Sequence, residues 1–260
     1  MERLANMPFF KSMPFVMLLA CMGAGLSVIA DIFSRYSPDA VVNSMFISIE
    51  DIKHFGTAKT LRQLEIGQII AFFSIPLSAL SVIPIWKGFE KTHFKTLKNI
   101  FAVSFCLSCF LGLVFHTLIT AISFVFIKEK QGLLILTSMD IDLITNLFNV
   151  VLKGSIISAL FSNACFTLIV FRSSTVFSKA SAIISPILIA TVLIIMGLNA
   201  SAPFAAFFYI VSGNLGLLVW YLIIYKSIDR KEVLQSNEVV SINLEQNIKF
   251  KNHALAFENK

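Results

Sequence analysis

A helix crosses the hydrocarbon core of a bilayer with about 20 apolar residues, because the core is about 30 Å thick and each residue rises about 1.5 Å. Six stretches of this chain meet that condition: 13–32, 66–86, 100–127, 154–171, 180–198 and 204–225. None carries Lys, Arg or Glu in its interior. Composition agrees. Of 260 residues, 57% are hydrophobic and 14% charged, against roughly 45–50% and about 25% in soluble domains. A soluble domain, a disordered chain and a coiled coil are excluded. The expected fold is all-α, a polytopic membrane protein with about six transmembrane helices over 1–225 and a polar tail over 226–260.

The polar segments between the spans carry the topological signal. The N-terminus, the loops 87–99 and 172–179, and the tail hold 14 basic residues, and the other three loops hold 7. Short loops are the better witnesses, since Lys and Arg accumulate on the cytoplasmic side. Loop 87–99 has Lys87, Lys91, Lys95 and Lys98; loop 172–179 has Arg172 and Lys179; loop 199–203 has none. Both termini are therefore expected in the cytoplasm, with the chain in a bacterial inner (plasma) membrane. The net charge of +6 suits anionic lipid at the cytoplasmic loops. There is no basic groove domain for nucleic acid. Loop 33–65 contains an amphipathic stretch from Met45 to Leu64. In 128–153, Ile141, Ile144, Leu147, Phe148 and Val151 recur at helical spacing. That segment reads as an interfacial helix or an extension of the fourth span, with a re-entrant element as the alternative. Trp220, Tyr221 and Tyr225 stand where an interfacial aromatic belt would.

Polar groups at membrane depth are expensive and mark function by default. The candidates are His116 in the third span, Asn163 in the fourth, Asn214 in the sixth, Asp31 closing the first and Glu65 opening the second. One arrangement is an outward-facing cavity with Asp31 and Glu65 at its rim and His116, Asn163 and Asn214 on its floor. The alternative is plain packing, in which the amides bond between helices and the two acids are interface residues. Small residues recur on one face of the first span (Ala20, Gly23, Ala24, Ser27) and of the fourth (Gly154, Ser155, Ser158, Ala159, Ser162). Such faces let helices approach closely, within one chain or, as the alternative, in a homo-oligomer.

Other signals resolve to structure. Cys21, Cys106, Cys109 and Cys165 all lie in apolar segments, so they read as small hydrophobes. Cys106-Leu-Ser-Cys109 lacks the surroundings that a redox or zinc motif needs. Leu18-Leu-Ala-Cys21 resembles a lipoprotein signal, but the chain stays apolar beyond it. Pro76, Pro84 and Pro186 predict bends. No nucleotide, hydrolase or metalloprotease motif is present. No catalytic residue, metal site or cofactor is assigned.

Asp31, Tyr36-Ser37-Pro38, Gly67, Ile75-Pro76-Leu77, Trp86-Lys87-Gly88-Phe89 and His116, spread over 13–225, make the chain resemble an uncharacterised family of bacterial six-span integral membrane proteins. The resemblance implies a fold and a location, and no chemistry. Three kinds of function follow from the polar residues. A structural, sensory or partner-binding protein predicts a packed interior. A small-solute transporter or channel-like protein predicts a wet path reaching His116. An intramembrane enzyme on a lipid-like substrate predicts a closed apolar pocket with His116 and an acid within reach of each other. The first is the expectation. The second and third gain if His116, Asn163 and Asn214 face one cavity.

Overall fold

The computed structural model describes residues 12–38, 48–89, 92–201 and 203–228. The basic residues of the N-terminus, the Met45 end of the amphipathic loop, and tail residues 229–260 lie outside them. Among the described residues there are only helices, numbered here α1 to α9: α1 Met13–Arg35, α2 Ile49–Thr57, α3 Leu61–Ala79, α4 Val82–Gly88, α5 Lys95–Lys130, α6 Ser138–Arg172, α7 Lys179–Ile183, α8 Pro186–Asn199 and α9 Phe204–Ile228. Five segments are long and apolar enough to cross a membrane: α1, α3 with α4, α5, α6 and α9; α8 is a shorter apolar helix. The protein is an all-α membrane bundle. Large apolar side chains such as Phe72, Phe73, Val103, Phe110 and Phe161 point outward. Acyl chains solvate them as well as a protein core would.

The helix starts are written in the sequence. Ser48, Thr60 and Thr137 each accept the backbone N–H three residues on, at 3.1, 3.2 and 3.3 Å. Asp51, Gln63 and Asp140 return a bond to the cap, so each start is a capping box. Thr137 thereby extends the fourth span back to Ser138. Of the segment 128–153, residues 128–130 end α5, 131–137 connect, and 138–153 are an extension of the fourth span within one continuous helix rather than a re-entrant element. At 36 and 35 residues, α5 and α6 run about 54 and 52 Å. They outreach the hydrocarbon core as a paired hairpin at the end remote from Lys95 and Arg172. Helix α2 packs there, with Ile49 and Ile52 against Ile119, Ile122, Phe126 and Phe148. The amphipathic stretch is thus divided, because Thr60 caps a new helix.

Two prolines act differently. Pro84 has no N–H to give to Leu80 O, and the second span breaks there into α3 and α4. Ile83 N–H takes over Leu80 O at 3.0 Å. Pro186 ends one helix and begins another. The expected fifth span, 180–198, is two pieces. Ser185 is extended, as the residue before proline prefers, and its hydroxyl caps α8 at Leu188 N–H, 3.2 Å away. Fourteen residues of α8 give about 21 Å, short of a full crossing. Ser-Pro at 185–186 carried that signal in the sequence.

Glycines set the closest approaches. A Cβ on Gly23 would lie 2.5 Å from Ser78 N and 2.7 Å from Ser74 O, so α1 and α3 touch backbone to backbone. Ser27 donates to Ser74 across the same seam at 2.8 Å. The small face of the first span is thus a packing face inside this chain. Gly216 brings α9 against Pro186 O of α8 at 2.7 Å in the same sense. By contrast, α8 meets α6 at few points. The aromatic belt expected at the end of the sixth span is absent for two of its residues. Trp220 and Tyr221 are 2% and 0% exposed. Trp220 Nε1 donates to Ser181 O at 2.9 Å, and Tyr221 Oη to Ser78 O at 3.1 Å. Phe89, Phe101, Phe166 and Phe177 complete this aromatic core, ring centroids 5.1–6.1 Å apart.

Candidate functional site

Helix α1 continues one turn beyond Asp31, and that turn makes the site. Asp31 and Arg35 stand four residues apart on one face, the spacing at which opposite charges meet. They form an ion pair. Asp31 is 1% exposed and Arg35 8%. The carbonyl end of the helix is held by Lys59, whose Nζ donates to Ile32 O at 3.3 Å. That is the favourable end for a cation. Partial burial lowers the Lys59 pKa from its ordinary value.

Two further helices reach the same carboxylate. Asn214 Nδ2 of α9 donates to Asp31 Oδ2 at 2.7 Å. His116 Nε2 of α5 lies 3.1 Å from Asp31 Oδ1, and His116 is 6% exposed. One carboxylate therefore ties α1, α5 and α9. Arg35 supplies the countercharge that such depth demands. Among the described residues, Arg35 Nε has no hydrogen-bond acceptor. Helix α2 closes over this end: Phe55 packs with Ala206, Tyr209 and Ile210 of α9, and a Cβ on Gly56 would meet Ser123 of α5 at 2.5 Å.

The cluster forms one end of a cavity of about 440 Å³ inside the bundle. Its walls come from α1, α3, α5, α6, α8 and α9. Asp31, Arg35, His116, Asn214 and Tyr209 line one end, and Phe101, Phe105 and Trp220 the other. Ser155, Ala159, Ser162 and Asn163 supply the α6 wall. The small face of the fourth span is thus split in use. Gly154 packs toward Leu111 of α5, 3.2 Å from its Cβ position, Ser158 is buried and donates to Gly154 O, and Ser155, Ala159 and Ser162 open on the cavity. The volume falls within the usual range for small-molecule sites, about 300–1,000 Å³, and so does the pattern of apolar walls with a few convergent polar groups.

Of the five residues singled out in the sequence, four border this cavity: Asp31, His116, Asn163 and Asn214. Asn163 differs from the others in bonding its own helix, Nδ2 to Ala159 O at 2.9 Å. Glu65 is exposed on α3 and lines no part of the cavity. The expected rim of two acids is replaced by one buried acid. Arg35 lies beyond the apolar stretch 13–32, so hydropathy alone does not point to it; its spacing of four from Asp31 is the signal the sequence holds. Tyr209 carried no signal, since a tyrosine in an apolar run is ordinary. Cys106 and Cys109 are free thiols a turn apart, Cys106 facing outward. Among the described residues no three His, Cys, Asp or Glu side chains gather as a metal site would need. Comparison with protein-family models, with curated proteins and with solved structures yields no match.

Proposed function

We propose that this membrane protein binds a small amphipathic solute in the central cavity and passes it across or within the bilayer. The observation that supports transport over a purely structural role is the convergence of His116, Asn163 and Asn214, from three helices, on one cavity. A packed interior would have given each a separate neighbour. The proposal includes the orientation and the location. The end carrying Lys87, Lys95, Lys98, Arg172 and Lys179 faces the cytoplasm of a bacterial plasma membrane, and the polar cluster lies toward the outer side. The likeness to uncharacterised bacterial six-span proteins belongs to the same proposal and adds no chemistry.

A second reading has one observation in its favour. His116 lies within 3.1 Å of a carboxylate beside an apolar pocket, which an intramembrane enzyme would use as an acid–base pair. Transport is preferred because Arg35 already matches the Asp31 charge and Asn214 occupies the other carboxylate oxygen. A carboxylate so engaged is a fixed anchor rather than a free base.

Gly112 provides the test. It lines the cavity, and a Cβ there would meet nothing within 4 Å. Gly112→Leu therefore places a side chain in the void, and it removes a helix-interior glycine, a gain of up to about 1 kcal/mol. Small molecules retained by protein purified in nanodiscs, measured by mass spectrometry, are expected to be present in wild type and reduced at least tenfold in Gly112→Leu, with an equal or higher melting temperature. Identical retained molecules in both, at equal stability, would rule out the cavity as the binding site.

A further inference from the structure

We infer that the cavity accepts a single-chain amphiphile with an uncharged, hydroxyl-type head, the head lying at the Asp31 end. The inference rests on the cavity being a binding site and names what it binds. Shape gives the chain. The lining runs from Phe101 to His116 along α5 and from Tyr209 to Trp220 along α9, which at 1.5 Å per residue is about 16–22 Å. A volume of about 440 Å³ drawn out over that length suits one extended alkyl chain. The Phe101, Phe105 and Trp220 end is apolar and suits the tail.

Charge and hydrogen bonding give the head. Asp31 and Arg35 cancel one another, so an ionic head would bring an unmatched charge into a low-dielectric site. Four polar groups along the wall have each spent one donor within the protein. Ser162 donates to Ala159 O at 2.9 Å, Ser212 to Tyr209 O at 3.0 Å and Asn163 to Ala159 O at 2.9 Å. Asn214 spends an N–H on Asp31. The hydroxyls keep acceptor lone pairs and the amides keep their carbonyl oxygens. Arg35 Nε keeps an unspent N–H among the described residues and each amide keeps its second N–H, so the wall offers donors as well as acceptors, and a hydroxyl, which both donates and accepts, answers both without charge.

Trp220 reads the site directly. The chain has two tryptophans; Trp86 lies outside the cavity, and Trp86→Phe leaves Trp220 as the only indole. In nanodiscs, its fluorescence is titrated with four probes sharing a terminally brominated undecyl chain: the alcohol, the sulfate, the trimethylammonium and the bare alkane. Quenching that persists in Trp86→Phe/Gly112→Leu is bilayer background. The expected result is saturable, Gly112-dependent quenching by the alcohol, at least tenfold weaker for both ionic probes and for the alkane. Gly112-dependent quenching by an ionic probe at equal or lower concentration overturns the head assignment and leaves the binding cavity standing. No Gly112-dependent quenching by any probe overturns the single-chain ligand. The cavity itself then stands or falls on whether Gly112→Leu removes the co-purified molecules.

Discussion

Asp31→Ala is expected to destabilise the protein by about 3–5 kcal/mol, and Arg35→Leu in the same chain to restore most of that loss. Asp31 holds Arg35 as an ion pair, Asn214 by a 2.7 Å hydrogen bond and His116 at 3.1 Å. Removing the carboxylate leaves Arg35, a residue only 8% exposed, without its counterion, and it unties α5 and α9 from α1 together. Removing the cation as well deletes the uncompensated charge, and an apolar replacement in a membrane bundle packs without that penalty. Each variant is scored by equilibrium unfolding in mixed micelles, and the non-additivity of the pair measures the coupling. A loss below about 1 kcal/mol for Asp31→Ala alone would mean that Arg35 has another counterion and that the cluster does not organise this end of the bundle.

The second large effect concerns two glycines on one helix. Gly23→Ala is expected to cost about 1–3 kcal/mol through overpacking, because the added Cβ falls 2.5 Å from Ser78 N and 2.7 Å from Ser74 O. Those are backbone atoms of a packed helix and cannot swing aside. The whole α1–α3 seam must open, including the 2.8 Å Ser27–Ser74 bond. Gly25→Ala, two residues on, meets nothing within 4 Å and should be neutral or stabilising by up to about 1 kcal/mol through helix propensity. The same unfolding assay reports both. Equal effects at the two positions would show that α1 and α3 are not in backbone contact.

Legibility in the sequence differed by the range of the physics. Helix starts at Ser48, Thr60 and Thr137 are local events, since cap and donor lie three residues apart, and they can be read from the chain. The two-piece form of 180–198 was equally local, and Ser185-Pro186 signalled it; hydropathy masked it because both pieces are apolar. Trp220 and Tyr221 were misplaced at an interface for a different reason. Their acceptors, Ser181 O and Ser78 O, belong to segments distant in the chain, and only the tertiary fold brings them within reach.

What the chain determines unaided is its solvent. Apolar stretches that long, without interior basic groups, place a helical bundle in lipid. The polar residues at depth were also visible, since each stands out against the hydrocarbon-like background. Which of them meet was decided by tertiary structure alone. Asp31 and Asn214 are 183 positions apart, and Glu65, as acidic as Asp31, points away. Burial of a charge depends on whether a partner can reach it, and reach is set by how α1, α5 and α9 cross rather than by any property of the residues taken singly. The cavity is tertiary for the same reason: it is the volume left where α8, held tightly to α9 at Gly216, fails to close on α6.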